Sequence, residues 1–149
     1  MSFFDQLGAL FAKYDVLGAF WVNIQLTFWA AIGSFVLGAI LALMRISPVP
    51  SLRWAGTIYV HLFRNTPLTI LMTLALLGVW TQFQLSFSTD FETNFFVYAV
   101  IVLSIYHASF VCEAIRSGVN TVPTGQAEAA RAIGLGFMDT ARMIIFPQA

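Results

Sequence analysis

His107, Cys112 and Glu113 bring an imidazole, a thiol and a carboxylate into one seven-residue stretch of an apolar run. They are the candidates for a membrane-embedded enzyme, because polar groups at membrane depth are functional hypotheses by default. Their spacing argues against it. His107 and Glu113 are six apart, roughly 240° around a helix, and do not converge. Glu113 and Arg116 stand at i,i+3 and pair naturally on one helix face. No HExxH or GxSxG run occurs in the chain. The lone cysteine rules out a disulfide framework within the chain and any multi-cysteine metal site. A phosphate-binding loop needs Gly-x4-Gly-Lys-Ser/Thr, and the only lysine is Lys13. His107, like Asn23 and Gln25, suits hydrogen-bonded helix packing better than a substrate ligand.

A second polar constellation is Arg64-Asn65-Thr66-Pro67. Pro67 has no N–H to give the carbonyl of Phe63, so it either starts a helix or kinks one. Arg64 at the centre of a bilayer would cost about 2.5–3.5 kcal/mol, which puts it at the interface. A third lies in Glu113–Ala149, the least hydrophobic part of the chain. Thr124 is expected to cap a short helix, with Glu128 near its first turn, where negative charge is favourable. Ala127, Ala129, Ala130 and Ala132 favour that helix, and Gly134 is placed to end it. A second helical run is expected over 137–146, up to Pro147. Two short helices joined at Gly134-Leu135-Gly136 make a hairpin whose small alanine face suits docking into another protein's groove. An ordinary solvated loop would fit the same residues.

The elements that must position these groups are membrane helices. Of 149 residues, 59% are hydrophobic and only 9% charged, against roughly 45–50% and about 25% in soluble domains. A soluble core of this size would not hide so much apolar surface. The net charge is zero, so no basic face suggests nucleic acid. The N-terminal residues carry Asp5 and no basic residue before Lys13, unlike a signal peptide. Three stretches without formal charge are long enough to cross a bilayer, at about 20 residues each. They place spans near 20–44, 65–81 and 93–112. Ser47-Pro48-Val49-Pro50-Ser51 is a turn after the first. Trp54, Ile58, Val60 and Leu62, with Arg53 and Arg64, then suit a helix lying at the interface.

Arg45, Arg53 and Arg64 fall on the same side of the membrane as Arg116, Arg131 and Arg142 when three spans are crossed. The positive-inside rule makes that side cytoplasmic, with the N-terminus outside and the C-terminus inside. Ala30, Ser34, Gly38 and Ala42 recur every four residues on one face of the first span. Small residues allow close helix approach in lipid, although Gly and Ala are common in membrane helices generally.

Glu128-Ala129-Ala130, three residues, Gly134, nine residues, Ile144, two residues, Pro147 resembles the EAA signature of ABC importer permeases. One departure is Phe146, where the family usually has Leu. Phe63-Arg64-Asn65-Thr66-Pro67-Leu68 is similar to the F-R-G-T-P-L segment of polar amino acid permeases of the histidine, glutamine and glutamate type. Glu113-Ala114-Ile115-Arg116-Ser117-Gly118 through Val122-Pro123-Thr124-Gly125-Gln126 looks like their E-x-x-R-x-G-I…P-x-G-Q run. Asn65 in place of Gly, Asn120-Thr121 and Phe146-Pro147-Gln148-Ala149 look most like glutamate permeases. The likeness covers the chain from about residue 16 onward.

The resemblance implies an all-α transmembrane domain of an ATP-driven, binding-protein-dependent amino acid importer in the bacterial cytoplasmic membrane. Its parts would be an external N-terminus (1–19), membrane spans (20–112) and a cytoplasmic coupling segment (113–149). Glu128, Ala129, Ala130, Gly134, Ile144 and Pro147 would dock on a separate ATPase subunit, which holds the ATP and Mg. Arg64, Asn65, Thr66, Pro67, His107 and Glu113 would belong to the pathway or to helix kinks. Further partners would be a second permease subunit, an extracytoplasmic binding protein and lipid. No cofactor would sit on this chain. Such permeases usually have about five spans, two of them after the hairpin, so the chain reads as a partial permease. The alternative is a structural membrane subunit that does not transport, and ATPase association through the hairpin separates the two.

Overall fold

The computed structural model describes residues 3–148. The described residues are helical, with short turns between elements. They run as α1 (Phe3–Lys13), α2 (Val16–Ile46), α3 (Pro50–Arg64), α4 (Leu68–Thr73), α5 (Phe91–Val119), α6 (Thr124–Ala132) and α7 (Phe137–Thr140). Two of these continue into wider π-helical stretches, α4 into Leu74–Gln82 and α7 into Ala141–Ile145.

Helices α2 and α5 are each long and apolar enough to cross a membrane. Their mutual packing is the largest interface in the molecule. It is built on the four-residue stripe of α2: Ala30, Ser34, Gly38 and Ala42 are all buried. From α5, Ala108, Ser109 and Cys112 are fully buried. Lipid tails are as apolar as leucine, so burial alone would not pull two such helices together. Close backbone approach at small residues supplies dispersion contacts instead. Leu41, Ala42, Val60, Ala108 and Cys112 form the packed cluster where α2, α3 and α5 meet.

Several boundaries differ from the sequence-based expectation. The helix that carries the first span (20–44) is longer, beginning at Val16 behind an N-cap in which the Asp15 side chain accepts from the Gly18 N–H. Part of the expected external N-terminus is itself helical, as α1. Helix α5 extends past the expected third span (93–112) at both ends, from Phe91 to Val119. The expected cytoplasmic segment therefore opens with two more turns of α5.

The second span differs most. Helix α3 ends at Arg64, α4 starts at Leu68, and the two axes are bent by 97°. Pro67 is the N-cap of α4, so the expected span at 65–81 begins with a break. The structure holds two membrane-length helices, or three if the bent pair counts as one span. Val60, expected at the interface, is buried in the bundle together with Gly56. A Cβ at Gly56 would lie 2.8 Å from Arg45 Cγ and 3.4 Å from the Leu41 carbonyl, so only glycine lets α3 seat on α2. The opposite face, with Trp54, Ile58 and Leu62, stays exposed.

The link into α5 is ordered by one buried amide. Asn94 is 1% exposed, and its side-chain oxygen accepts from the N–H groups of Phe87 (2.7 Å) and Ser88 (3.3 Å). The Tyr98 hydroxyl donates to the Leu85 carbonyl, while its ring stacks on Trp80. Asp90 caps α5, and hydrogen bonds from the Thr93 hydroxyl and N–H hold its carboxyl below the usual range. Asn94→Ala would leave two loop N–H groups without their acceptor, at about 1–3 kcal/mol for the buried share. Protease cleavage between residues 83 and 90 is expected to speed up in this variant, with the rest of the chain unaffected.

Candidate functional site

Three helix ends meet at Glu113. Arg45 in the last turn of α2 donates to Glu113 Oε1 and lies 4.0 Å from the Cys112 sulfur. Arg64, the last residue of α3, comes within 3.9 Å of the same oxygen. Arg116, one turn along α5, comes within 3.7 Å of Oε2. The Arg45 side chain is 9% exposed and Glu113 28%, whereas Arg64 and Arg116 are 45% and 41% exposed. These are the salt bridges among the described residues, and all converge on one carboxylate. The Arg64 guanidinium also sits 5.5 Å from the centre of the Phe110 ring. The hub joins residues of the 63–68 run to residues of the 113–118 run.

The i,i+3 pairing of Glu113 with Arg116 was legible in the sequence. Arg45 was not: it stands 68 positions from Glu113, and the sequence marked it only as an interfacial charge. The remaining residues of the break play backbone roles. Asn65 is the C-cap of α3, its N–H reaching the His61 carbonyl at 3.2 Å. The Thr66 hydroxyl donates to the Leu62 carbonyl at 2.8 Å. His107 is exposed and pairs with the Leu103 carbonyl of its own helix at 2.9 Å. Asn23 likewise bonds within its helix, to the Ala19 carbonyl. The structure brings neither to the Glu113 hub.

The hairpin forms as two packed helical segments, with corrections in detail. Thr124 is the first residue of α6 rather than its cap; the N-cap is Pro123, which has no side chain to offer the free N–H groups. Glu128 consequently lies beyond the first turn, where the helix dipole contributes little. Gly134 does end the helix. Its φ is +89°, a left-handed conformation that glycine adopts without a Cβ penalty. The Leu135 N–H reaches back to the Ala130 carbonyl (3.1 Å) and the Gly134 N–H to Arg131 (2.9 Å), which satisfies two of the carbonyls orphaned at the helix end. Beyond it the expected second helix begins as α7 and widens into the π-helical turn Ala141–Ile145.

Burial splits the residues of the Glu128–Pro147 signature. Ala130 is buried with Thr140 and Ala141, while Glu128, Ala129, Ala132, Gly134 and Pro147 are exposed and Ile144 is half-buried. The exposed alanine surface is therefore smaller than the sequence suggested. Gln148 ties the ends together, donating to the Gln126 side chain and to the Ile144 carbonyl, both at 2.7 Å. Phe146 faces the spans across a cavity of about 500 Å³ shared with Phe35, Ala39, Ala114 and Ile115. The hairpin thus leaves Glu128 exposed and sets Phe146 beside α2 and α5.

Two helices of membrane-crossing length packed on each other, followed by a packed helical hairpin, have the form of a polytopic membrane protein. The family described as binding-protein-dependent transport system inner membrane component matches residues 34–149, and the chain belongs to it. It is accordingly a multi-pass component of the inner membrane. The glutamate transport system permease protein GluC of Corynebacterium efficiens is 50% identical over 140 residues, covering 91% of this chain and 61% of that protein. The glutamate/aspartate import permease protein GltJ of Escherichia coli K12 is 33% identical, covering 95% and 61%. A solved structure described as an amino acid ABC transporter with histidines superposes with a TM-score of 0.65 at 31% identity, covering 83% of this chain and 55% of that one. The chain spans about three fifths of the length of these two permease relatives.

Proposed function

We propose that this chain is permease sequence of an ATP-driven, binding-protein-dependent importer of glutamate or a related polar amino acid. The observation that carries the reading is the hairpin of α6 and α7. It keeps the signature residues in order, exposes Glu128 and lays Phe146 beside the spans. Half-identity to a glutamate permease supports the substrate class. In this reading the N-terminus is outside and the hairpin cytoplasmic. A separate ATPase subunit, carrying ATP and Mg, docks on Glu128, Ala129 and the Gly134 turn. A second permease subunit completes the pathway, and an extracytoplasmic binding protein delivers the substrate.

The mechanism is alternating access. Closure of the ATPase subunits pushes the hairpin, and the hairpin moves as one piece because the Gly134 turn and the Gln126–Gln148 bridge hold its two arms. Phe146 passes that movement to α2 and α5. Arg64 and Glu113 link the break before α4 to the same bundle, so the bent element moves with it.

Copurification from membranes with the cognate ATPase subunit tests the docking. Wild type is expected to retain the subunit, and Glu128→Lys combined with Gly134→Asp to reduce retention about tenfold or more, as for loss of an interface hot spot. Undiminished retention in that variant, or none in a properly folded wild type, would remove the hairpin from its assigned role.

A further inference from the structure

We infer that the half-exposed guanidiniums of Arg64 and Arg116 form a binding site for the anionic headgroup of a phospholipid, with the Arg45–Glu113 pair as its floor. The first ground is charge. Three guanidiniums face one carboxylate, and no other carboxylate among the described residues makes a salt bridge to them. Arg45 makes the close hydrogen bond. Arg64 and Arg116 stand at 3.9 and 3.7 Å, beyond hydrogen-bond reach, so both forks keep donors to spend on a second anion. Helix C-termini attract such cations, but with only a fractional charge that fades within a turn. They do not neutralise the excess.

The second ground is position. At 1.5 Å per residue the 29 residues of α5 reach about 43 Å, past a hydrocarbon core of about 30 Å. Glu113 and Arg116 lie in its last two turns, Arg45 in the last turn of α2 and Arg64 at the end of α3. That is the headgroup level.

The third ground is an apolar companion to the charged site. Arg64 lies over the Phe110 ring, and Phe110 also lines a groove of about 410 Å³ between α2 and α5. Ala30, Ser34, Leu103 and His107 continue that groove away from the arginines. A ligand with a phosphate at one end and a hydrocarbon chain at the other fits both parts, whereas a free phosphate uses only the first. Which leaflet supplies the lipid follows from the orientation proposed above; the binding itself does not rest on transport.

Native mass spectrometry of the purified chain in detergent tests the site, with dioctanoyl phosphatidylglycerol, dioctanoyl phosphatidylcholine and inorganic phosphate as probes. Wild type is expected to prefer phosphatidylglycerol over phosphatidylcholine about tenfold. Arg64→Gln with Arg116→Gln should abolish that preference, while the paired Lys variants keep most of it. Arg53→Gln, which removes one arginine of α3 outside the hub, should leave it unchanged. Helical circular dichroism shows whether each variant is folded. Equal binding of the two lipids by wild type, or a preference that survives in the folded double-Gln variant, would overturn the site. Displacement of phosphatidylglycerol by equimolar inorganic phosphate would keep the anion site but overturn the lipid as its occupant.

Discussion

Glu113→Ala is expected to destabilise the bundle by about 1–3 kcal/mol, the scale for leaving a largely buried polar group without its partner. The cost falls mainly on Arg45. Its side chain is 9% exposed, and with the carboxylate gone its nearest partner is the Cys112 sulfur at 4.0 Å. Arg64 and Arg116 are half-exposed and recover hydration by turning outward, so they contribute little. The argument is checked by a double-mutant cycle. Arg45→Met beside Glu113→Ala leaves no stranded charge, and the pair of changes should cost about 1–2 kcal/mol less than the sum of the single ones. Cys112 is the only cysteine in the chain and is fully buried, so its rate of thiol labelling in detergent reports opening at this site. Labelling should accelerate in Glu113→Ala and slow again in the double variant. Additive effects would mean that Arg45 and Glu113 do not depend on each other.

Gly38→Leu is expected to separate α2 from α5. A Cβ at this position would lie 2.7 Å from both Cβ and Cγ1 of Val111 and 3.0 Å from the Ala108 carbonyl. Overpacking of this kind costs about 1–3 kcal/mol in a soluble core. A leucine here faces backbone on one side and belongs to the molecule's largest interface, so the upper end applies. Gly38→Ala should show a smaller loss in the same direction. Val111→Ala should rescue part of either defect, because it relieves the side-chain clash and leaves the carbonyl in place. Gly78→Ala is the control, since the nearest atom to its added Cβ is 3.5 Å away. Thermal unfolding in detergent with Cys112 labelling reads all four. Rapid labelling confined to Gly38→Leu and Gly38→Ala would match the packing, and unchanged labelling in Gly38→Leu would refute it.

Much of the architecture was legible because it is local. Charge-free runs marked α2 and α5, since a charge inside hydrocarbon is costly wherever the chain goes. The stripe from Ala30 to Ala42 offered one candidate packing face of α2, because helical periodicity places every fourth residue on one side, and that face is the buried one. Gly134 marked the end of α6 because a left-handed residue is needed there. Glu113 and Arg116 were neighbours by helix geometry alone.

What stayed hidden depended on how the helices turn toward one another. Nothing in the spacing of Arg45 shows that it meets Glu113, 68 positions away; that contact follows from the rotation of α2 against α5, set by the small-residue seam. The burial of Val60 required α3 to lie against both long helices, which Gly56 permits through close approach to Arg45 and Leu41. The widening of α4 and α7 into π-helical stretches has no signature in apolar periodicity. Pro67 announced a break but not a 97° bend, because proline removes a hydrogen bond without saying which way the next helix points. The sequence by itself therefore determined the solvent and the long apolar helices, and its motifs pointed to the hairpin and to the family. Only the tertiary structure decided which charges share Glu113, because residues far apart in the chain meet through packing geometry that no local rule encodes.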